Sequence, residues 1–194
     1  MHIREDLQQI VMYTHGRDSG QQSTRLAVSS DGIHFEGKPE VLGRPYIRVI
    51  AHKDYYALSM PGYMYRSAGG LTNFAPGPQF FNRNMRHNAL LIRGNTLYVF
   101  WTQAGHAPER ILLSTIEMDD DWMNWTESEF TEILRPVNEW EGATLEISPS
   151  LRGYIDIPVN QLRDPAIYAE DGTVYLLYSV AGESGIALAR INFD

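Results

Sequence analysis

The sequence contains no cysteine. Disulfides, thiolate nucleophiles and cysteine metal sites are thereby excluded, although the compartment is left open. Long apolar runs are missing too. No stretch approaches the ~18 residues of a membrane span, and the opening residues, MHIREDLQQ, lack the apolar segment of a secretory signal. As written, the chain reads as cytoplasmic, with secretion left open should the natural start lie upstream. Basic runs are absent, and 16 Lys+Arg against 24 Asp+Glu leave a net charge of −8. An acidic surface argues against nucleic acid and anionic membrane as partners. No phosphate-cradling glycine loop, dinucleotide fingerprint, Ser-His-Asp arrangement or His-x-x-x-His pair occurs, so neither cofactor nor metal is expected.

What is present is a repeat. Near the C-terminus, the spacing predicts three strands over 166–169, 174–180 and 186–191, joined by Glu170-Asp171-Gly172 and by Gly182-Glu183-Ser184-Gly185. Asp-Gly suits a hairpin because glycine tolerates positive φ. The third strand alternates Ile and Leu with Ala and Arg, as expected of a sheet sandwiched between two neighbours. Arg163 stands twelve residues before Tyr175, Arg86 twelve before Tyr98, and Arg44 twelve before Tyr56. Tyr175 and Tyr98 are each followed three residues on by an aromatic, Tyr178 and Trp101, and four further on by Gly182 and Gly105. A fourth copy at the start matches the second and third strands but leaves no room for the first. The starts are 42 and then 77 residues apart. Periods of about 40–50 residues with several strands each predict an all-β protein, a β-propeller of four-stranded antiparallel blades.

At 194 residues, 43% of them hydrophobic, the chain holds one domain with a real core. The expected parts are a partial blade over 1–43, blades over 44–85, 86–134 and 162–194, and an insertion over 135–161. The first blade reads as a hairpin of 8–13 and 24–29 across a polar loop at 15–22. The second reads as strands over 47–51, 55–60 and 64–67, closed by 71–74. The third reads as strands over 87–92, 96–103 and 111–116, with an outer strand within 122–134. The insertion carries three prolines and the carboxylates Glu139, Glu141, Glu146 and Asp156. A loop this long within a repeat array has a task of its own, or it fills a gap between blades.

Arg163-Asp164-Pro165 at the head of a strand, followed by an acidic-Gly turn and Tyr-Leu-x-Tyr, resembles the blades of five-bladed propeller glycoside hydrolases. These are the arabinanase/xylosidase-type and invertase-type families. The Ser-x-Asp-Gly-x-x-Phe run from Ser29 to Phe35 and Tyr13-Thr14-His15-Gly16 are similar to turns and strand ends of that superfamily. The resemblance implies a carbohydrate-active propeller with about four of five blades in this chain. It implies a stabilising aspartate at Asp164, flanked by Arg163. The equivalent places hold His87-Asn88 and Pro45-Tyr46, a departure from the acidic trio of such enzymes.

If the first strand of every blade lines a common channel, repeat-equivalent residues converge there. Arg44, Arg86 and Arg163 then share one position, and His87 and Asp164 the next. An arginine fork beside a carboxylate suits sugar hydroxyls. The same arginines could instead tie blades together through backbone carbonyls, and His87 could be a hydrogen-bonded core histidine. A glycosidase needs a second carboxyl ~5–10 Å from the first, and Glu146, with Glu141 and Glu139 behind it, is the candidate partner of Asp164. His52, near a strand end, joins the substrate-binding set. Expected partners are a carbohydrate and a second copy that completes open sheet edges. The alternatives are a non-catalytic propeller that binds a glycan or a protein, and an inactive fragment of a longer protein.

Overall fold

The computed structural model describes residues 1–18 and 20–193. Ser19, inside the polar loop expected at 15–22, lies outside the described residues. The chain divides into two compact units, Met1–Gln79 and Phe80–Asp194, and each carries two antiparallel sheets of the blade type.

In the first unit, β1 (His2–Arg4), β2 (Gln9–Asp18), β3 (Gln21–Ser29) and β4 (Glu36–Gly37) form one sheet in that order. A first strand does exist: His2 to Arg4 pair with Val11 to Gln9. Its three mixed residues carry no apolar alternation, so the repeat pattern alone does not register it. The β2–β3 hairpin also runs through most of the supposed loop, with Thr14, His15 and Gly16 facing Arg25, Thr24 and Ser23. Both faces of this arm are polar, so periodicity alone reads it as loop. The second sheet is β5 (Arg48–Ala51), β6 (Tyr55–Ser59), β7 (Tyr63–Ser67) and β8 (Ala75–Gln79). β8 replaces the closing strand expected at 71–74. It contains Pro76 and Pro78, which an edge strand accommodates because its outward N–H positions need no partner. Val11, Leu26, Leu42, Ile47, Ala57 and Tyr65 pack into the unit's core.

In the second unit, β9 (Met85–Arg93), β10 (Thr96–Gln103), β11 (Ile111–Glu117) and β12 (Thr131–Leu134) form a four-stranded sheet. β13 (Arg163–Glu170), β14 (Thr173–Val180) and β15 (Gly185–Ile191) form a three-stranded one. These strands lie within one to three residues of those expected from the repeat. Ala89, Phe100, Ile111, Leu162, Leu176 and Tyr178 bury the inner faces of the two sheets against each other. Phe100 is fully buried. Phe100→Ala should lower the unfolding free energy by about 3–5 kcal/mol, whereas Leu151→Ala, at a side chain 78% exposed, should change it little. Denaturant midpoints at constant m-value check both.

Candidate functional site

The repeat acquires physical meaning in the second unit. In β9–β10, Asn88 faces Trp101 while Met85 faces Gln103, so three steps on β9 oppose two on β10. In β13–β14, Arg163 faces Ser179 while Ala166 faces Leu177, again three against two. Each first strand thus carries a one-residue bulge, one at Arg86-His87 and the other at Asp164-Pro165. Bulges re-aim side chains. Pro165 has no N–H for the ladder, and Asp164 takes a left-handed φ of 50°, which aspartate tolerates better than most residues. Arg163-Asp164-Pro165 is therefore a bulge-forming sequence first.

β9 and β13 lie against each other, and their equivalent residues meet. The Nδ1 atom of His87 contacts Oδ1 of Asp164, with both side chains partly exposed. Ser179 Oγ donates to the other aspartate oxygen at 3.3 Å. Deeper down, Arg86 and Arg163 are 4% and 1% exposed, and both reach Oε2 of the fully buried Glu109. Arg86 Nη1 donates to it at 3.1 Å and Arg163 Nε stands at 3.7 Å. Arg163 also donates to Gln161 Oε1 at 2.9 and 2.6 Å and to Glu183 Oε1 at 2.9 Å. Sequence reasoning missed Glu109. It lies outside the repeat, in the β10–β11 connection between Pro108 and Arg110, and no local pattern signals it.

The insertion over 135–161 completes this cluster. Its Leu151 carbonyl accepts from Arg86 at 3.2 Å, and its Gly153 carbonyl accepts from Arg86 and Arg163, both at 3.2 Å. Both arginines thus bond backbone carbonyls of this strap, whereas the sequence predicts such bonds tying blade to blade. Backbone hydrogen bonds fasten the strap at both ends. Gly105 N–H bonds to the Ser150 carbonyl, Ser150 N–H to the His106 carbonyl, and Ala181 N–H to the Glu141 carbonyl. Gly142 sits at a φ of +87°, where a Cβ would fall 2.5 Å from the Val159 oxygen, so only glycine lets the strap close there.

Glu141 is an anchor of the strap. It is 1% exposed and accepts from the backbone N–H groups of Val137 and Asn138 at 2.9 Å and from Tyr178 Oη at 3.1 Å. Burial pushes its carboxyl up, but these bonds outweigh burial and hold it below the usual glutamate range. Tyr178 is pushed up to about 12, by burial first and then by the bond to Glu141. Glu139, Glu146 and Asp156 are exposed. Among the described residues no contact joins Glu146 to Asp164.

Arg44 and His52 belong to the first unit and do not share this arrangement. The turn between β5 and β6 has three residues, 52–54, whereas those between β9 and β10 and between β13 and β14 have two. Twelve residues from Arg44 to Tyr56 therefore span a shorter first strand and a longer turn. Tyr56 faces Ile50, six residues after Arg44, while Tyr98 and Tyr175 face residues five after their arginines. Arg44 falls outside β5, its guanidinium 4.0 Å from the Tyr63 ring centroid, and His52 stands exposed in the turn. The equal spacing for this copy is thus corrected by register. Among the described residues, no group of three His, Asp or Glu side chains could hold a metal ion. No helix there is long and apolar enough to cross a membrane.

Glu109→Gln should cost about 3–5 kcal/mol, because it leaves two buried guanidinium groups without their shared counter-charge. Urea titration against the wild type measures it. For Glu141 the folded carboxyl titrates below its unfolded value. Its contribution is therefore present above the unfolded glutamate range and lost as pH falls through the lower folded value. Glu141→Gln should destabilise at neutral pH and flatten the acid limb of the stability curve, as followed by thermal melts across pH.

No protein-family profile matches the chain. It is 38% identical over 201 residues to an uncharacterized protein of Acanthamoeba polyphaga mimivirus, covering 93% of this chain and 56% of that one. The chain thus spans about half the length of this curated relative. Among solved structures it is similar to an endo-1,4-beta-xylanase from Bacteroides thetaiotaomicron, with a TM-score of 0.67 and 14% identity over 94% of this chain and 64% of that one. It is also similar to the alpha-L-arabinanase of Cellvibrio cellulosa, with a TM-score of 0.62 and 10% identity over 96% and 71%. A thermostable family-43 glycoside hydrolase follows at a TM-score of 0.58 and 13% identity over 93% and 69%. The four antiparallel sheets of this chain have the β-propeller fold of the arabinanase- and xylanase-type glycoside hydrolases.

Proposed function

We propose that the paired bulges of β9 and β13 form a glycan-binding face and that this chain binds carbohydrate without hydrolysing it. The fold supports the ligand class, since the solved structures it resembles include an alpha-L-arabinanase, complexed with arabinohexaose, and an endo-1,4-beta-xylanase. One observation favours binding over cleavage: Asp164, the accessible carboxylate at the paired bulges, meets a histidine and not a second carboxyl group. Asp164 is held by His87 and Ser179, Glu109 by Arg86 and Arg163, and Glu183 by Arg163. A glycosidase needs one free acid and one free base or nucleophile flanking the scissile bond. His87 and Asp164, the accessible members, offer a donor and an acceptor side by side, the pairing that vicinal sugar hydroxyls require.

Calorimetric titration with arabino- and xylo-oligosaccharides tests this. Saturable binding is expected. His87→Ala and Asp164→Ala should each weaken it about ten- to a hundredfold, the equivalent of one lost charge-assisted hydrogen bond. Aryl glycosides should remain intact. Turnover abolished by Asp164→Asn would overturn the reading in favour of a hydrolase.

A further inference from the structure

The three-stranded sheet of the second unit is covered on one face only. Ile167, Leu176, Tyr178, Ala187, Ala189 and Ile191 point into the core. The opposite face carries the other alternating set, and it is apolar and open: Tyr168 is 49% exposed, Ile186 78% and Leu188 57%. Tyr168 and Tyr175 stack there with ring centroids 6.3 Å apart. A blade strand that alternates apolar with small residues is suited to burial on both sides, and contiguous exposed apolar surface of this kind marks an interaction site.

We infer that this face is the contact through which two copies of the chain associate, sheet against sheet. Register makes the face complementary to itself. Ala166, Leu177 and Leu188 form one cross-strand row, and Tyr168, Tyr175 and Arg190 the next. Glu170 lies one step further along β13 on the same face. A two-fold axis parallel to β14, between two facing sheets, keeps each row at its level and exchanges β13 with β15. Leu188 of each copy then sits over the small Ala166 of the other. Arg190 sits over the Tyr168 ring and beside Glu170, and both contacts occur twice. Isologous pairing of this kind closes at two copies, and sheets so packed lie about 10 Å apart. Three strands at about 4.8 Å spacing and seven residues at about 3.4 Å each give a patch of only about 14 by 24 Å. That is smaller than a standard interface, so the dimer is a weak one.

Sedimentation velocity of the whole chain from about 5 to about 500 µM, the range of weak association, should show the apparent mass rising to twice the monomer. Leu188→Glu replaces an exposed side chain and should abolish the rise without altering the circular dichroism. Glu170→Arg and Arg190→Glu should each weaken association at least about tenfold. Combining the two reversals re-creates the pairing across the axis and should recover most of the affinity. A wild-type monomer at every concentration would overturn the inference and leave the face to another occupant. So would a dimer indifferent to Leu188→Glu, or a double reversal no better than the single ones.

Discussion

A single carboxylate, Glu109, holds two guanidinium groups in the interior of the second unit, and the arrangement around the bulges follows from it. Burying charge is tolerable only when the groups are paired and their remaining donors satisfied. Glu109 supplies the counter-charge. Gln161, Glu183 and the carbonyls of Leu151 and Gly153 take up remaining N–H groups of Arg86 and Arg163. Lysine could not replace either arginine, because an ammonium cannot donate along several fixed, coplanar directions at once. The strap over 135–161 is thereby fixed: without its carbonyls the guanidinium groups would keep unsatisfied donors in a dry interior.

That constraint explains which parts of the molecule could be read from the residues. Strand positions were legible because alternation and Asp-Gly turns are local signals. The pairing of Arg86 with Arg163, and of His87 with Asp164, was legible because the repeat places them at matching bulges. The non-equivalence of Arg44 was hidden, since twelve residues can be spent on a long strand with a short turn or the reverse. Glu109 was hidden for a different reason. Its role depends on two strands separated by 77 residues in sequence, and no local pattern around Pro108-Glu109-Arg110 encodes that meeting. The short β1 and the polar arm of β2–β3 escaped because they bury too little for periodicity to register.

The fold is shared with enzymes that cleave glycans, but fold alone does not carry activity. Chemistry depends on which carboxyl groups remain free to gain or lose a proton, and here the accessible one at the bulges lies against a histidine. Arg163-Asp164-Pro165 illustrates the distinction. Its proline and left-handed aspartate build the bulge, so the motif has a conformational reason to exist in any blade that needs one. The partner of the aspartate, a histidine rather than a second acid, sets what the bulge can then do.

The same reasoning reaches the sheet of β13, β14 and β15. Its inner face is fixed by core packing, which in turn dictates the outer face, because successive residues of a strand point to opposite sides. Isoleucine and leucine at 186 and 188 therefore cannot be excused as residues turned outward by accident of register. A one-residue slip would bury them only by expelling Ala187, Ala189 and Ile191 from the core. Surface leucines with no partner are tolerated singly, but here they align in rows with Tyr168 and Tyr175, flanked by opposite charges at Glu170 and Arg190 on the two outer strands. Opposite charges on opposite edges of one apolar face are what a two-fold contact requires, since each edge then meets its complement on the other copy.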